Sequence, residues 1–183
     1  MKELLNSITF IGGGIISIEF ASIVIKSGVE VNVVHKIDQI LPGFNSKHVD
    51  KSVKKLEDEG VKFYIRESIK EVEKFENVYK VKTESGLSIN TDYVLDATGR
   101  ISKIKGIGLE NVGVNYNKKG IEVDGYLRIN IKNIYASGDV VDKTVSKLTP
   151  TVTFESNYIA AYILGVAKNE NEAEMNAILD TNQ

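Results

Sequence analysis

The stretch SITFIGGGIIS, from Ser7 to Ser17, decides the fold of this chain. Its first five residues have the composition of a short buried strand, and three glycines follow at once. A helical pattern then runs as far as Gly28, and Val31–Val34 has the pattern of a second buried strand. A strand, a glycine turn, a helix and a strand within about thirty residues have the size of a dinucleotide-binding βαβ unit.

Each small residue of this stretch has a physical role in such a unit. Gly12 permits a tight turn off the strand, and Gly14 lacks a Cβ, so a pyrophosphate can approach the backbone. The helix then begins with free N–H groups and the positive end of its dipole. The third motif position is Ser17, which is small enough for close helix packing. The alternative is a structural turn without a ligand, but the setting favours a dinucleotide site formed by Gly12, Gly13, Gly14, Ile15, Ile16 and Ser17.

Composition places the chain among soluble globular proteins. It has 183 residues, of which 42% are hydrophobic and 26% charged. The net charge of −2 implies no general attraction to nucleic acid, and no apolar run reaches the roughly 18 residues of a membrane span. With no cysteine, disulfides, cysteine–zinc sites and thiol catalysis are excluded within these residues. No signal peptide is recognisable, so we expect a cytoplasmic protein without membrane or nucleic-acid partners.

The pattern after the second strand predicts an α/β fold. Asn45-Ser46 can cap a helix that continues to Glu59, where Gly60 stops it. Strand patterns follow at Lys62–Ile65, Ile69–Phe75, Tyr79–Thr83, Leu87–Thr91 and Asp92–Ala97. The middle three alternate like a meander. We therefore predict a Rossmann-like parallel sheet with an inserted antiparallel β-meander.

The second half of the chain is more broken. Glycines interrupt residues 101–133, where Ile121–Val123 has the pattern of a short strand. Asn133–Val140 is predicted as a strand with a polar end, and a helix is predicted over about Thr151 to Leu164, with Pro150 near its first turn. From Lys168 onward the tail is rich in Asn and Glu.

Several motifs in order carry a family resemblance. They are Ile11–Gly14 with Ile18–Ala21, Ile40–Gly43, Ala97–Arg100, Ile134–Asp139 and Leu148–Pro150. With them the chain resembles the middle of the flavin-dependent pyridine nucleotide–disulfide oxidoreductases, which include glutathione reductase, dihydrolipoamide dehydrogenase and mercuric reductase. The resemblance implies an NAD(P)-binding domain over residues 1–105. It also implies part of an FAD-binding domain, the C-terminal half of a split one, over residues 106–183.

The same resemblance implies a fragment of a larger enzyme. The family's first FAD-domain half, with its redox-active cysteine pair, and its C-terminal dimer domain have no counterpart here. The parent is expected to be a homodimer that binds FAD and a nicotinamide dinucleotide. The fragment alone is expected to bind the dinucleotide, to carry no flavin, to show no turnover and to self-associate through apolar surface on the last helix.

Two residues of the first helix take their expected roles from the resemblance. The family's counterpart of Glu19 pairs with a lysine near the flavin, whereas the alternative is a solvated helix charge. Ile15 stands where glutathione reductases often have a gating tyrosine, so a tyrosine gate is not expected here. Its alternative role is packing.

The end of the second strand bears on nucleotide choice. NAD-selective proteins place an acid about 20 residues after the first glycine of the motif, against the ribose 2′-hydroxyl. His35 and Lys36 stand there instead, and a cation would attract a 2′-phosphate. Both residues are therefore expected to contact that group. We expect NADP(H) to be favoured over NAD(H), with an ordinary polar strand end as the alternative.

The remaining site residues follow strands near their ends. Gly99 and Arg100 close the last strand of the first domain, where ligands of open α/β sheets bind. By resemblance, Gly138 and Asp139 face the flavin ribityl chain, and the backbone N–H of Thr149 faces the flavin ring. For Gly99 with Arg100 and for Gly138 with Asp139, a purely structural turn is the alternative.

Two classes of function remain open. One is the nicotinamide-binding portion of a flavoprotein reductase, which positions the nicotinamide for hydride transfer to FAD. The other is a non-catalytic dinucleotide-binding redox sensor or degenerate homologue. Residues outside this sequence would separate the two.

Overall fold

The computed structural model describes residues 5–143 and 148–165. The chain divides into two compact units, an N-terminal unit that ends at Gly99 and a C-terminal unit that begins at Arg100. No helix within the described residues is long and apolar enough to cross a membrane. The predicted polar tail from Lys168 onward lies outside the described residues.

Seven strands form two sheets among the described residues of the N-terminal unit, 5–99. They are β1 (Ser7–Ile11), β2 (Glu30–His35), β3 (Lys62–Ile65), β4 (Ile69–Phe75), β5 (Val78–Thr83), β6 (Ser88–Thr91) and β7 (Tyr93–Asp96). Four of them pair in parallel in the order β3-β2-β1-β7. The other three pair antiparallel in the order β4-β5-β6. This confirms the predicted parallel sheet with an inserted meander.

Two helices connect the parallel strands. Helix α1 covers Ile15–Val24 and passes into one 3₁₀ turn that ends at Gly28, whose φ is 79°. Helix α2 covers Ser46–Asp58. The side chain of Asn45 accepts a hydrogen bond from the Lys47 N–H at 3.1 Å, which caps α2 as predicted.

Alternation along β1 and β2 separates two apolar layers. Ile8, Phe10, Val31 and Val33 are buried together with residues of α1, α2 and the segments beside them. Val34 faces the opposite way and packs with Val81 and Ile89 of the meander, among other residues. Helices therefore cover one face of the parallel sheet and the meander covers the other.

The C-terminal unit has little regular structure before its helix. Helix α3 covers Thr149–Ile163 with Pro150 in its first turn. Its buried residue Tyr158 belongs to a hydrophobic cluster with Leu127. Within the described residues, the strands predicted over Asn133–Val140 and Ile121–Val123 are wrong: these segments form isolated bridges, and Gly138–Val140 is a 3₁₀ turn. Asn133 at φ 69° and Gly138 at φ 78° interrupt the extended conformation that a ladder requires.

Two surfaces of the helices are apolar and exposed. On α1, Ile16, Phe20 and Ile23 share one face and are 46%, 50% and 65% exposed. At the end of α3, Ile163 and Leu164 are 63% and 75% exposed. We call these the α1 face and the α3 end.

Candidate functional site

A cavity of about 410 Å³ lies in the N-terminal unit at the carboxyl ends of β1, β2 and β7. Its lining comes from residues 11–14, 34–36, 67–69 and 97–99, with Pro42. Open α/β sheets bind ligands at this edge. The structure thus brings six of the predicted site residues to one cavity: Gly12, Gly13, Gly14, His35, Lys36 and Gly99.

Gly12 makes the turn from β1 into the cavity wall. Its φ is 104°, and its N–H donates to the Val34 carbonyl at 2.8 Å. A Cβ at this position would lie 2.6 Å from the Ala97 carbonyl oxygen. Backbone conformation and the close approach of β7 therefore both require glycine here.

Gly14 is different, because a Cβ on it would meet nothing within 4 Å. It is the N-cap of α1, and no side chain caps that helix end. The first N–H groups of the helix consequently remain available to a ligand. Open space beside the backbone and uncapped N–H groups are what a phosphate group needs.

The other residues of the motif lie on α1 itself. Ser17 is fully buried, as expected for the small residue that packs the helix closely, and its Oγ has no hydrogen bond among the described residues. Ile15 is half-buried and Ile16 exposed, and neither lines the cavity. Glu19 is exposed beside the α1 face.

His35 has a different environment from the one predicted. Its Nδ1 accepts the Gly13 N–H at 3.0 Å, and its Nε2 lies 3.2 Å from the Gln39 carbonyl oxygen. Burial lowers the pKa of His35, and the Lys36 charge lowers it further, although the Gln39 carbonyl opposes both. Both ring nitrogens of His35 therefore face backbone groups, and the lowered pKa disfavours the charged ring, so this environment does not favour the predicted contact with a 2′-phosphate, which stays a prediction.

Lys36 and Glu67 carry the charges at the cavity among its described lining residues. Lys36 is exposed. Glu67 follows β3, its N–H donates to the His35 carbonyl at 2.9 Å, and its carboxylate accepts from Ser85 Oγ at 2.6 Å, which lowers the pKa of Glu67. Sequence reasoning missed Glu67. A prediction that β3 lies next to β2 would have placed Glu67, just after β3, close to His35.

The loop after β7 completes the cavity. The Asp96 carboxylate accepts from the Thr98 N–H at 3.0 Å and from Thr98 Oγ1 at 2.7 Å, and these bonds lower the pKa of Asp96. Gly99 follows with a φ of 130°. This turn is thus fixed by its own side chains.

Arg100 lies outside the cavity lining, in contrast to the prediction that it lines the groove with Gly99. It belongs to the C-terminal unit, where its Nη1 is 2.9 Å from Oδ2 of Asp139. The structure therefore brings together two predicted site residues that the sequence had assigned to different cofactors.

Gly138 is tied to a buried ion pair that the sequence analysis missed. Its N–H donates to Oε2 of Glu155 at 2.7 Å, and the other carboxylate oxygen accepts from Lys143 Nζ. The side chains of Lys143 and Glu155 are 1% and 0% exposed. Thr149, the first residue of α3, is exposed, and no side chain caps this helix end.

Comparison with known proteins shows the family. Residues 1–158 match the family described as pyridine nucleotide-disulphide oxidoreductase. Dihydrolipoyl dehydrogenase of Chlamydia pneumoniae is 37% identical over 145 residues, which cover 78% of this chain and 31% of that protein. Glutathione reductase of Burkholderia cepacia is 33% identical over 159 residues, which cover 86% of this chain and 35% of that protein.

The solved structures agree. The HOCl-induced flavoprotein disulfide reductase RclA from Escherichia coli matches with a TM-score of 0.80 at 27% identity, over 92% of this chain and 38% of that one. The chain spans only 31% and 35% of the two curated relatives named above. It belongs to the pyridine nucleotide-disulphide oxidoreductase family.

Proposed function

We propose that the N-terminal unit binds a nicotinamide dinucleotide and, in the whole protein, positions the nicotinamide for hydride transfer to FAD. The observation that carries the proposal is the cavity at the carboxyl ends of the parallel strands, with open space at Gly14 and an uncapped helix beside it. The cofactors supply the hydride chemistry, and the protein supplies binding and orientation.

The residues present fit the pyrophosphate. The backbone of Gly14 can be approached without a steric clash, and no side chain caps the first-turn N–H groups of α1, which are therefore available as donors. No acidic residue lies in that first turn to repel an anion. Thr98 and Gly99 also line the cavity and are proposed to contact the rest of the ligand.

We propose a preference for NADP(H), supported by Lys36, since both ring nitrogens of His35 face backbone groups. A lysine at the end of β2 attracts a 2′-phosphate. Glu67 borders the same cavity and opposes such a phosphate. The preference is therefore expected to be smaller than two cations would give.

The C-terminal unit is proposed to contribute to an FAD site through Gly138, Asp139 and Thr149, in agreement with the family. We propose domain limits of 1–105 and 106–183, close to the division between the two compact units at Gly99. The alternative function is a dinucleotide-binding redox sensor without catalysis. Its test is whether the full-length protein reduces a disulfide with NADPH.

The binding proposal is tested by titrating the chain with NADPH and NADH by calorimetry. Wild-type protein is expected to bind, and Gly14→Val is expected to lose at least about tenfold in affinity, because the side chain fills the space for the phosphate. The melting temperature of the variant serves as the control, since the site of substitution is open. Equal affinity in both proteins, or no binding by either, would refute the proposal.

The same titration decides nucleotide choice. Lys36→Gln is expected to weaken NADPH binding several-fold and to leave NADH binding nearly unchanged, because only the 2′-phosphate needs the charge. Glu67→Gln removes the negative charge that borders the same cavity, so it is expected to strengthen NADPH binding. Equal losses for both nucleotides in Lys36→Gln would contradict the preference.

A further inference from the structure

The side chain of His35 lines the cavity and contacts the glycine loop, but both of its ring nitrogens already have backbone partners. His35 is 9% exposed, and its two ring nitrogens each face a backbone group of a different loop. One is the Gly13 N–H, after β1. The other is the Gln39 carbonyl, between β2 and α2.

This arrangement fixes the tautomer. A backbone N–H only donates, so Nδ1 must accept from Gly13 and carry no proton. A carbonyl only accepts, so the proton of the neutral ring is on Nε2, where it faces Gln39. A second proton on the ring would be on Nδ1 and would oppose the Gly13 N–H directly.

Packing makes the contact with Gly13 close. A Cβ on Gly13 would lie 2.9 Å from Cγ of His35 and 2.5 Å from Cδ1 of Ile40. The Gly13 carbonyl also accepts the Leu41 N–H at 2.8 Å. The glycine loop is thus held on its N–H side by the imidazole and on its carbonyl side by the segment that carries Gln39.

We propose that neutral His35 is the positioning residue of the phosphate-binding loop, and that its protonation weakens dinucleotide binding. The inference rests on the proposed function, because it deepens the role of the same cavity. His35 acts through Gly13 and leaves the N–H groups of Gly14 and the first turn of α1 to the phosphate.

The charges around His35 agree with a neutral ring. Lys36 follows it directly after β2 and disfavours a second positive charge. Glu67 at the end of β3 directs its carboxylate to Ser85, Asp38 pairs with Arg66 at 3.5 Å, and Asp96 after β7 is bonded to Thr98. The described glycine loop, residues 12–14, has no ionisable side chain.

Nuclear magnetic resonance tests the hydrogen bond without any ligand. In ¹⁵N-labelled chain at pH 7.5, we expect a scalar coupling across the hydrogen bond between the Gly13 nitrogen and His35 Nδ1. The Gly13 amide shift should titrate together with the His35 ring, at a pH below the ordinary value of about 6.5. A Gly13 amide that does not follow the His35 titration, or a proton found on Nδ1 at pH 7.5, would overturn the inference.

Binding measured against pH tests the consequence. Because the bound state needs the neutral ring, affinity should be constant near pH 7.5 and fall by up to about tenfold per pH unit below the pKa of His35. His35→Asn keeps an acceptor for the Gly13 N–H that gains no proton, so its affinity should lack this fall. His35→Leu lacks an acceptor and should bind about fivefold more weakly at every pH.

The control is His48→Asn, at the other histidine of the chain, which is exposed on α2. It should keep the wild-type pH profile. The ratio of affinities between wild type and His35→Asn cancels the titration of the nucleotide itself. The same profile in both proteins would overturn the inference, whereas a chain that binds no dinucleotide at any pH would refute the proposed function and leave the hydrogen bond to be decided by resonance alone.

Discussion

Gly12 and Gly14 stand two positions apart and have unlike requirements. At Gly12, the φ of 104° and the Ala97 carbonyl leave no room for a side chain. At Gly14, the φ of −85° suits any residue and the space beyond the backbone is open. The fold therefore requires glycine at position 12 but not at position 14, which agrees with the proposed role of Gly14 beside a ligand.

This difference predicts opposite effects of alanine. Gly12→Ala should lower the free energy of unfolding by roughly 1–3 kcal/mol or more, since it combines a strained backbone with a clash against β7. Gly14→Ala should change it by less than about 0.5 kcal/mol. Urea denaturation followed by circular dichroism measures both, and equal stability of the two variants would contradict the assignment.

The tight turn at Gly12 could be predicted from the sequence, because strand, turn and helix are adjacent along the chain. The environment of His35 could not, since its partners Gly13 and Gln39 come from two loops that only the folded sheet brings together. Glu67 escaped notice for the same reason. Local pattern identifies the motif, but the neighbours of its side chains depend on strand order.

At the scale of elements, α3 carries a carboxylate on its buried side. Glu155 and Tyr158 are one turn apart and both buried. The Lys143 ammonium neutralises Glu155, and the Gly138 N–H satisfies its second oxygen. The hydrogen bond thereby joins the start of the 3₁₀ turn Gly138–Val140 to the middle of α3, and the ion pair joins Lys143 to the same residue of α3.

Breaking this pair should be costly. Lys143→Met leaves Glu155 buried without its partner charge and should lower the free energy of unfolding by about 3–5 kcal/mol. Adding Glu155→Gln should recover a large part of the loss, because the amide oxygen still accepts from Gly138 and no charge remains. Chemical denaturation of the two variants against wild type measures this, and a double variant no more stable than Lys143→Met would count against it.

Elements with a strong hydrophobic periodicity could be predicted from the sequence, whereas a strand that depends on a neighbouring strand could not. The meander alternates over β4, β5 and β6, and its two turns contain Asn77 and Ser85-Gly86, so the sequence specifies it. Asn133–Val140 has a comparable apolar composition, yet alternation alone does not tell whether a neighbouring strand is present. The structure gives it one bridge, between Arg128 and Tyr135.

For the whole molecule, the α1 face and the α3 end predict self-association of the purified chain. Exposed apolar patches are covered when copies meet. The double variant Phe20→Lys with Ile23→Lys should shift sedimentation velocity profiles toward the monomer. Ile107→Lys is the control: it removes an apolar side chain that is 61% exposed but belongs to neither the α1 face nor the α3 end, and it should have little effect. A wild-type chain that is monomeric at high concentration would contradict the prediction.

The pairing of β1 with β7 has a consequence for how the chain folds during synthesis. Ser7 and Asp92 are hydrogen-bonded neighbours although 85 positions separate them. At ribosomal rates of about 5–20 residues per second, the edge of β1 that awaits β7 stays uncovered for roughly 4 to 17 seconds. Hairpins such as β4–β5 close within microseconds of emerging. The nascent chain is therefore expected to form its meander before its parallel sheet is complete, and the backbone edge of β1 stays unpaired in the interval.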